Sequence, residues 1–204
     1  EPDSESIQKI ALLFIRQMAC IFPKKKSYPI YKEYLQEMFS STNLDHIEAA
    51  FLILGNLCEG CSEYIRRDLP NPIMKTYVTS GLQHESPAIK KATFQALNFF
   101  AEYLTTDIIA YHELVLPSLL KNLDMLDQET LESTIITIEI FCREMEELVV
   151  DYLQDMIPKL FQIIDSNQTS IATKRQAIVA ISACAEASQQ KFAVFAQNLC
   201  PLLG

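Results

Sequence analysis

The chain has no tryptophan and only four glycines in 204 residues. Tight turns draw on glycine for backbone angles that other residues resist, so this scarcity argues against a turn-dense β fold. Also missing is any apolar run of the roughly 18 residues that a membrane span needs, so neither a transmembrane helix nor a membrane partner is expected. The opening residues, Glu1-Pro2-Asp3-Ser4-Glu5, carry no initiator Met and no signal-peptide pattern, and read as the inside of a longer protein. Positive charge is in short supply: 17 Lys and Arg stand against 26 Asp and Glu, a formal charge of −9. Phosphate neutralisation needs clustered Lys and Arg, so direct binding to nucleic acid is not expected. An acidic surface suits basic partners instead.

Catalytic signatures are equally sparse. There is no GxSxG, no phosphate-binding glycine loop and no HExxH. The three histidines, His46, His84 and His112, are scattered, so no catalytic residue is assigned and the chain is not expected to be an enzyme. His112 falls on an apolar helical stripe, where a hydrogen-bonded structural histidine is expected. Cys58-Glu59-Gly60-Cys61 is a CxxC without the second Cys or His pair that zinc requires. Cys20, Cys142, Cys184 and Cys200 also lie mostly in apolar stretches, as small core residues of a reducing compartment. No metal and no cofactor are expected. Lys24-Lys25-Lys26 reads as a solvated turn between helices.

What the chain does have is a repeat. Val115-Leu116-Pro117-Ser118-Leu119-Leu120, Met156-Ile157-Pro158-Lys159-Leu160-Phe161 and Leu199-Cys200-Pro201-Leu202-Leu203 share a pattern, with prolines 41 and 43 residues apart. A second register, anchored on Leu54, Leu97, Ile138 and Ile181, steps by 43, 41 and 43. Helical repeats of about 40–47 residues are the HEAT/armadillo signature. The predicted fold is therefore all-α, a HEAT-repeat solenoid of about five helical hairpins in units 1–43, 44–86, 87–126, 127–168 and 169–204. A hairpin cannot bury its apolar stripes alone, so neighbours must stack. Neither end shows a polar capping repeat, and the parent protein is expected to continue in both directions. In the third unit the first helix is predicted from Pro87 to about Tyr103, behind a Ser86-Pro87 cap, with Phe94, Leu97 and Ala101 on one face. The second is predicted from about Asp107 to Leu123, with a stripe of Ile109, His112, Leu116, Leu120 and Leu123. A proline inside each second helix should kink it.

Several stretches carry a family likeness: Glu59-Gly60-Cys61-Ser62-Glu63-Tyr64-Ile65-Arg66-Arg67, the helix from Pro87 to Leu104, and Tyr111-His112-Glu113-Leu114-Val115-Leu116-Pro117. Downstream, Glu147-Leu148-Val149-Val150-Asp151-Tyr152-Leu153 and Ala180-Ile181-Ser182-Ala183-Cys184-Ala185-Glu186-Ala187 continue the series in order. Together, over about residues 45–204, they resemble the middle repeats of the importin-β (karyopherin-β) superfamily, most of all the branch containing importin-4 and importin-5. The resemblance implies a nuclear import receptor that shuttles between cytoplasm and nucleus through the nuclear pore. It implies basic protein cargo such as ribosomal proteins or histones, contacts with nucleoporin Phe-Gly repeats, and control by the GTPase Ran. The Ran site is implied chiefly on amino-terminal repeats outside this segment. The second helices are implied to line the concave, cargo-facing side. The competing reading is another HEAT scaffold, such as a phosphatase scaffold subunit or a chromosome-associated protein.

On that implied face, carboxylates are the candidate cargo-binding groups. Asp151 and Asp155 stand four residues apart, off the stripe of Leu153, Ile157 and Leu160. Glu33 and Glu37 repeat the spacing in the first unit, and Glu113 is the nearest acid in the third. Such groups would attract Lys- and Arg-rich cargo through interactions that weaken in salt.

Overall fold

In a computed structural model residues 2–195 are described, and every regular element among them is helical. The Leu199–Leu203 motif and Cys200 lie outside the described residues. The chain divides into two compact units, Glu1–Ile108 and Ile109–Gly204.

The first unit contains α1 (Pro2–Ile21), α2 (Lys24–Phe39), α3 (Leu44–Asp68), α4 (Thr79–Gln83), α5 (Pro87–Tyr103) and α6 (Thr105–Ile108), with a π-helical stretch over Leu69–Val78. Helices α1, α3 and α5 pack in succession, and α2 packs on α3. The second unit contains α7 (His112–Asn122), α8 (Gln128–Glu144), α9 (Leu153–Asp165) and α10 (Ile171–Ser188). There α8 lies against α10, and α9 packs against α10.

Local chemistry starts several of the first helices. The Asn43 side chain accepts from the Asp45 amide at 2.9 Å, that of Asp127 from the Thr130 amide at 3.0 Å, and that of Ser170 from the Thr173 amide at 3.1 Å. Each of these bonds satisfies a donor that the first turn leaves open. Helix α5 differs from expectation: Pro87 opens it, but the Ser86 side chain makes no capping bond. Pro87 leaves no open donor of its own in the first turn, because it has no N–H. The register anchors Leu54, Leu97, Ile138 and Ile181 are all buried, as are Phe94 and Ala101.

Four of the first helices end at a recurring backbone break. Cys61 (φ −122, ψ 18), Leu104 (φ −128, ψ 31), Glu146 (φ 51) and Gln189 (φ 47) depart from helical geometry at intervals of 43, 42 and 43 residues. At Cys61 the break falls within α3, so that helix holds the end of one repeat element and the start of the next.

The second helices are less regular than their sequence suggests. The helix expected over Asp107–Leu123 is α6, then a 3₁₀ turn at Ile109–Tyr111, then α7, then a second 3₁₀ turn at Leu123–Met125. Ile109 and His112 are only half-buried; the buried stripe is Val115, Leu116, Leu119, Leu120 and Leu123. A 3₁₀ segment, Glu146–Tyr152, likewise precedes α9. Pro117 and Pro158 each stand sixth in their helices, and the helix continues past them. The 3₁₀ irregularity lies upstream of each proline, at Ile109–Tyr111 and Glu146–Tyr152. Pro29 takes the same sixth place in α2 and extends the series. Lys24, Lys25 and Lys26 form the first turn of α2 rather than a loop. Lys24 reaches back to the Cys20 carbonyl at 2.6 Å, where the carboxyl end of α1 favours a cation.

Two kinds of contact hold each unit. Between first helices the approach is close. A Cβ on Gly60 would overlap the Ala19 carbonyl, and one on Gly55 would sit 3.1 Å from the Ala96 Cα. Around the second helices, polar pairs recur at about one repeat length. In the first unit Tyr28 donates to Asp68 at 2.8 Å, Lys32 pairs with Asp68 at 2.8 Å, and Arg66 pairs with Asp107 at 2.6 Å. In the second, His112 Nδ1 meets the Tyr152 hydroxyl at 2.7 Å and Lys159 pairs with Asp124 at 3.5 Å.

The Gly60 contact is with backbone, which cannot rotate away. Gly60→Ala should therefore lower stability by about 1–2 kcal/mol in urea denaturation, despite the gain in helix propensity. Tyr28 supplies a pH test. Burial, and then the hydrogen bond to Asp68, push its phenol far above the ordinary value of 10.0. A phenol raised in the folded state contributes stability that is fully present below the unfolded value and lost as pH rises beyond it. Stability should fall above about pH 10, and Tyr28→Phe should shallow that fall in alkaline denaturation curves.

Candidate functional site: exposed carboxylates around the second helices

Helix α2 turns Ser27, Tyr28 and Leu35 inward, which places Ile30, Glu33, Tyr34 and Glu37 outward. Ile30 is 54% exposed and Tyr34 63%, so two acids share this surface with two large apolar side chains. Lys32, between them in sequence, is directed to Asp68 and does not neutralise them.

In the second unit Glu113 stands in the first turn of α7 and Asp155 in the first turn of α9. Both positions suit a carboxylate, because the amide ends of a helix carry partial positive charge. Asp151 lies in the 3₁₀ segment before α9, so the four-residue step to Asp155 crosses a helix start rather than running along one α-helix. Glu113 and Asp151 converge on Tyr152. Burial, then the charges of Glu113 and Asp151, raise its phenol above the ordinary value. That phenol meets His112, which the sequence placed in the core and which instead sits half-buried between neighbouring second-helix elements.

All five predicted carboxylates are exposed, and among the described residues none makes a hydrogen bond or ion pair. Glu33 and Glu37 follow Pro29, whereas Glu113 and Asp155 precede Pro117 and Pro158. The matching spacing of Glu33–Glu37 and Asp151–Asp155 therefore does not reflect matching places in the repeat. The carboxylates that sequence reasoning missed are Asp68, Asp107 and Asp124, each engaged by a cation. Their signal was complementary side chains separated by 35–41 residues, such as Tyr28 with Asp68 and Arg66 with Asp107.

The remaining candidates have structural partners. Cys58 is buried and its thiol donates to the Leu54 carbonyl; Cys61 occupies the break in α3. Burial raises both thiols. His46 Nδ1 meets the Ser41 hydroxyl at 3.1 Å, and His84 Nδ1 accepts from the Ser86 amide at 3.0 Å. Among the described residues no group of three or more His, Cys, Asp or Glu is arranged to hold a metal ion. No described helix is long and apolar enough to cross a membrane.

No family model matches the sequence. Importin-4 of Mus musculus is 31% identical over 119 residues, which are 58% of this chain and 11% of importin-4. Importin subunit beta-3 of Saccharomyces cerevisiae is 23% identical over 178 residues, covering 84% of this chain and 16% of that protein. The crystal structure of Kap121p superposes with a TM-score of 0.77 at 22% identity, over 95% of this chain and 19% of Kap121p. Kap121p has also been solved bound to Pho4p, to Nup53p and to RanGTP. The chain thus spans between about a tenth and a fifth of the relatives it matches. The chain is similar in sequence to importin-4 over somewhat more than half of its length, and its all-α HEAT-repeat fold is that of Kap121p.

Proposed function

We propose that this chain is a cargo-binding part of a nuclear transport receptor that shuttles between cytoplasm and nucleus. Its cargo is a Lys- and Arg-rich protein of the ribosomal-protein or histone kind. The observation that carries this reading is the set of five exposed carboxylates without internal partners, Glu33, Glu37, Glu113, Asp151 and Asp155, in a chain of net charge −9. Carboxylates already paired within the fold, such as Asp68 and Asp107, have no charge to spare for a ligand; these five do. The exposed Tyr34 and Ile30 beside Glu33 and Glu37 add an apolar surface for the aliphatic stems of lysine and arginine. Kap121p in complex with Pho4p, Nup53p and RanGTP supports cargo, nucleoporin and Ran as partners of the whole receptor. Nucleoporin Phe-Gly segments would be further partners, and Ran would act mainly through other parts of that receptor.

Charge attraction of this kind weakens as salt shortens its range. Affinity for a core histone should fall steeply between low and physiological salt when titrated by fluorescence anisotropy. Asp151→Lys with Asp155→Lys replaces two attractions by two repulsions, and should weaken binding about tenfold at low salt. Salt-independent binding, or an unchanged affinity in the double variant, would sink the proposal.

A further inference from the structure

The second unit buries three sulfur atoms against one another. The Cys142 thiol on α8 lies 3.3 Å from the Cys184 thiol on α10. The Met156 sulfur on α9 is 3.4 Å from Cys142 and 3.5 Å from Cys184. All three residues are fully buried. The two cysteines stand 42 residues apart on consecutive first helices, so they face each other across the contact between neighbouring repeats. Nothing in the cargo-binding reading uses them.

We infer that Cys142 and Cys184 are an oxidisable pair whose disulfide staples one repeat to the next. A disulfide holds its sulfurs about 2.05 Å apart, so each would move by roughly 0.6 Å from its present place. The neighbouring Met156 cannot compete for the bond, because a thioether has no hydrogen to lose. Cys58 presents no equivalent partner: its thiol is directed to a backbone carbonyl.

The reaction needs a small two-electron oxidant, a peroxide. The Cys142 thiolate attacks one peroxide oxygen, releasing hydroxide and leaving a sulfenic acid. The Cys184 sulfur then attacks that sulfur and displaces its hydroxyl. The two thiol protons leave in the two waters formed, and the electron pair from the thiols reduces the peroxide. In the resting fold the Cys184 hydrogen bond and burial hold the Cys142 thiol protonated, well above its ordinary range. A protonated, buried thiol is inert, so the bond forms when the α8–α10 contact opens transiently. Once formed it ties a 42-residue separation and opposes further opening.

The test is to treat the full chain with hydrogen peroxide under native conditions, block free thiols in denaturant and map the peptides by mass spectrometry. The expected product is one cross-linked species joining the peptides of Cys142 and Cys184, lighter by two hydrogens. The oxidised chain should melt about 5–10 °C higher than the reduced chain. Cys142→Ala and Cys184→Ala should each abolish that shift, and Cys58→Ala should keep it. Recovery of both cysteines as free thiols, as separate sulfinic acids, or joined to other cysteines overturns the inference. Should an alanine variant fail to fold, the peptide map of the unsubstituted chain decides the matter by itself.

Discussion

The close approach of successive first helices is the constraint on which the rest depends. Where α3 crosses α1, Gly60 lies directly on the Ala19 backbone; where it crosses α5, Gly55 faces Ala96. Larger side chains at these points would separate the helices and forfeit dispersion contacts along the whole interface. In the second unit the same role falls to Cys142 and Cys184, with Ala177 and Ala180 also buried on α10. Phe51, Phe94 and Phe100 in the first unit, and Phe141 in the second, are almost wholly excluded from water. Among the described residues Gly55 and Gly60 stand at crossings, while the breaks in the helices use Cys61, Leu104, Glu146 and Gln189.

With the first helices set by packing, the second helices are aligned by a more permissive chemistry. Tyr28 with Asp68, Arg66 with Asp107, and His112 with Tyr152 link neighbouring elements through polar groups near the surface. Exposed ion pairs contribute little stability individually, so their part is mainly to fix direction. They also sort the acidic residues into two populations. Asp68, Asp107 and Asp124 are spent on internal cations, while Glu33, Glu37, Glu113, Asp151 and Asp155 keep their charge toward solvent. The repeat thus consumes some carboxylates to hold itself together, while these five make no such pair among the described residues.

Much of the fold was legible because the repeat writes itself twice in the sequence, in the prolines and in the buried anchors. Leu54, Leu97, Ile138 and Ile181 were identifiable as core from their spacing alone, since a helix that stacks on its neighbours must present the same face every repeat. The start of α5 at Pro87 was legible too, because proline fits the first turn. The second helices were not, for a physical reason. Near Ile109 and again near Val149 the backbone tightens into 3₁₀ geometry, and the 3.6-residue period that sequence reading relies on fails there.

The sequence by itself determined the all-α class, the repeat length of 41–43 residues and the excess of acid over base. These follow from periodicity and composition, which are properties of the chain as a string. Only the tertiary structure decided which acids are spent and which are free. Asp68 and Glu113 are both carboxylates shortly before a second-helix proline, and nothing local distinguishes them. Asp68 is claimed by Tyr28 and Lys32, some 40 residues earlier, and Glu113 makes no such pair. The separation of Cys142 and Cys184 was equally hidden: two small residues 42 positions apart become sulfur neighbours only when their helices stack. Such pairings depend on which faces meet, and that is settled by packing across repeats rather than by any stretch of sequence.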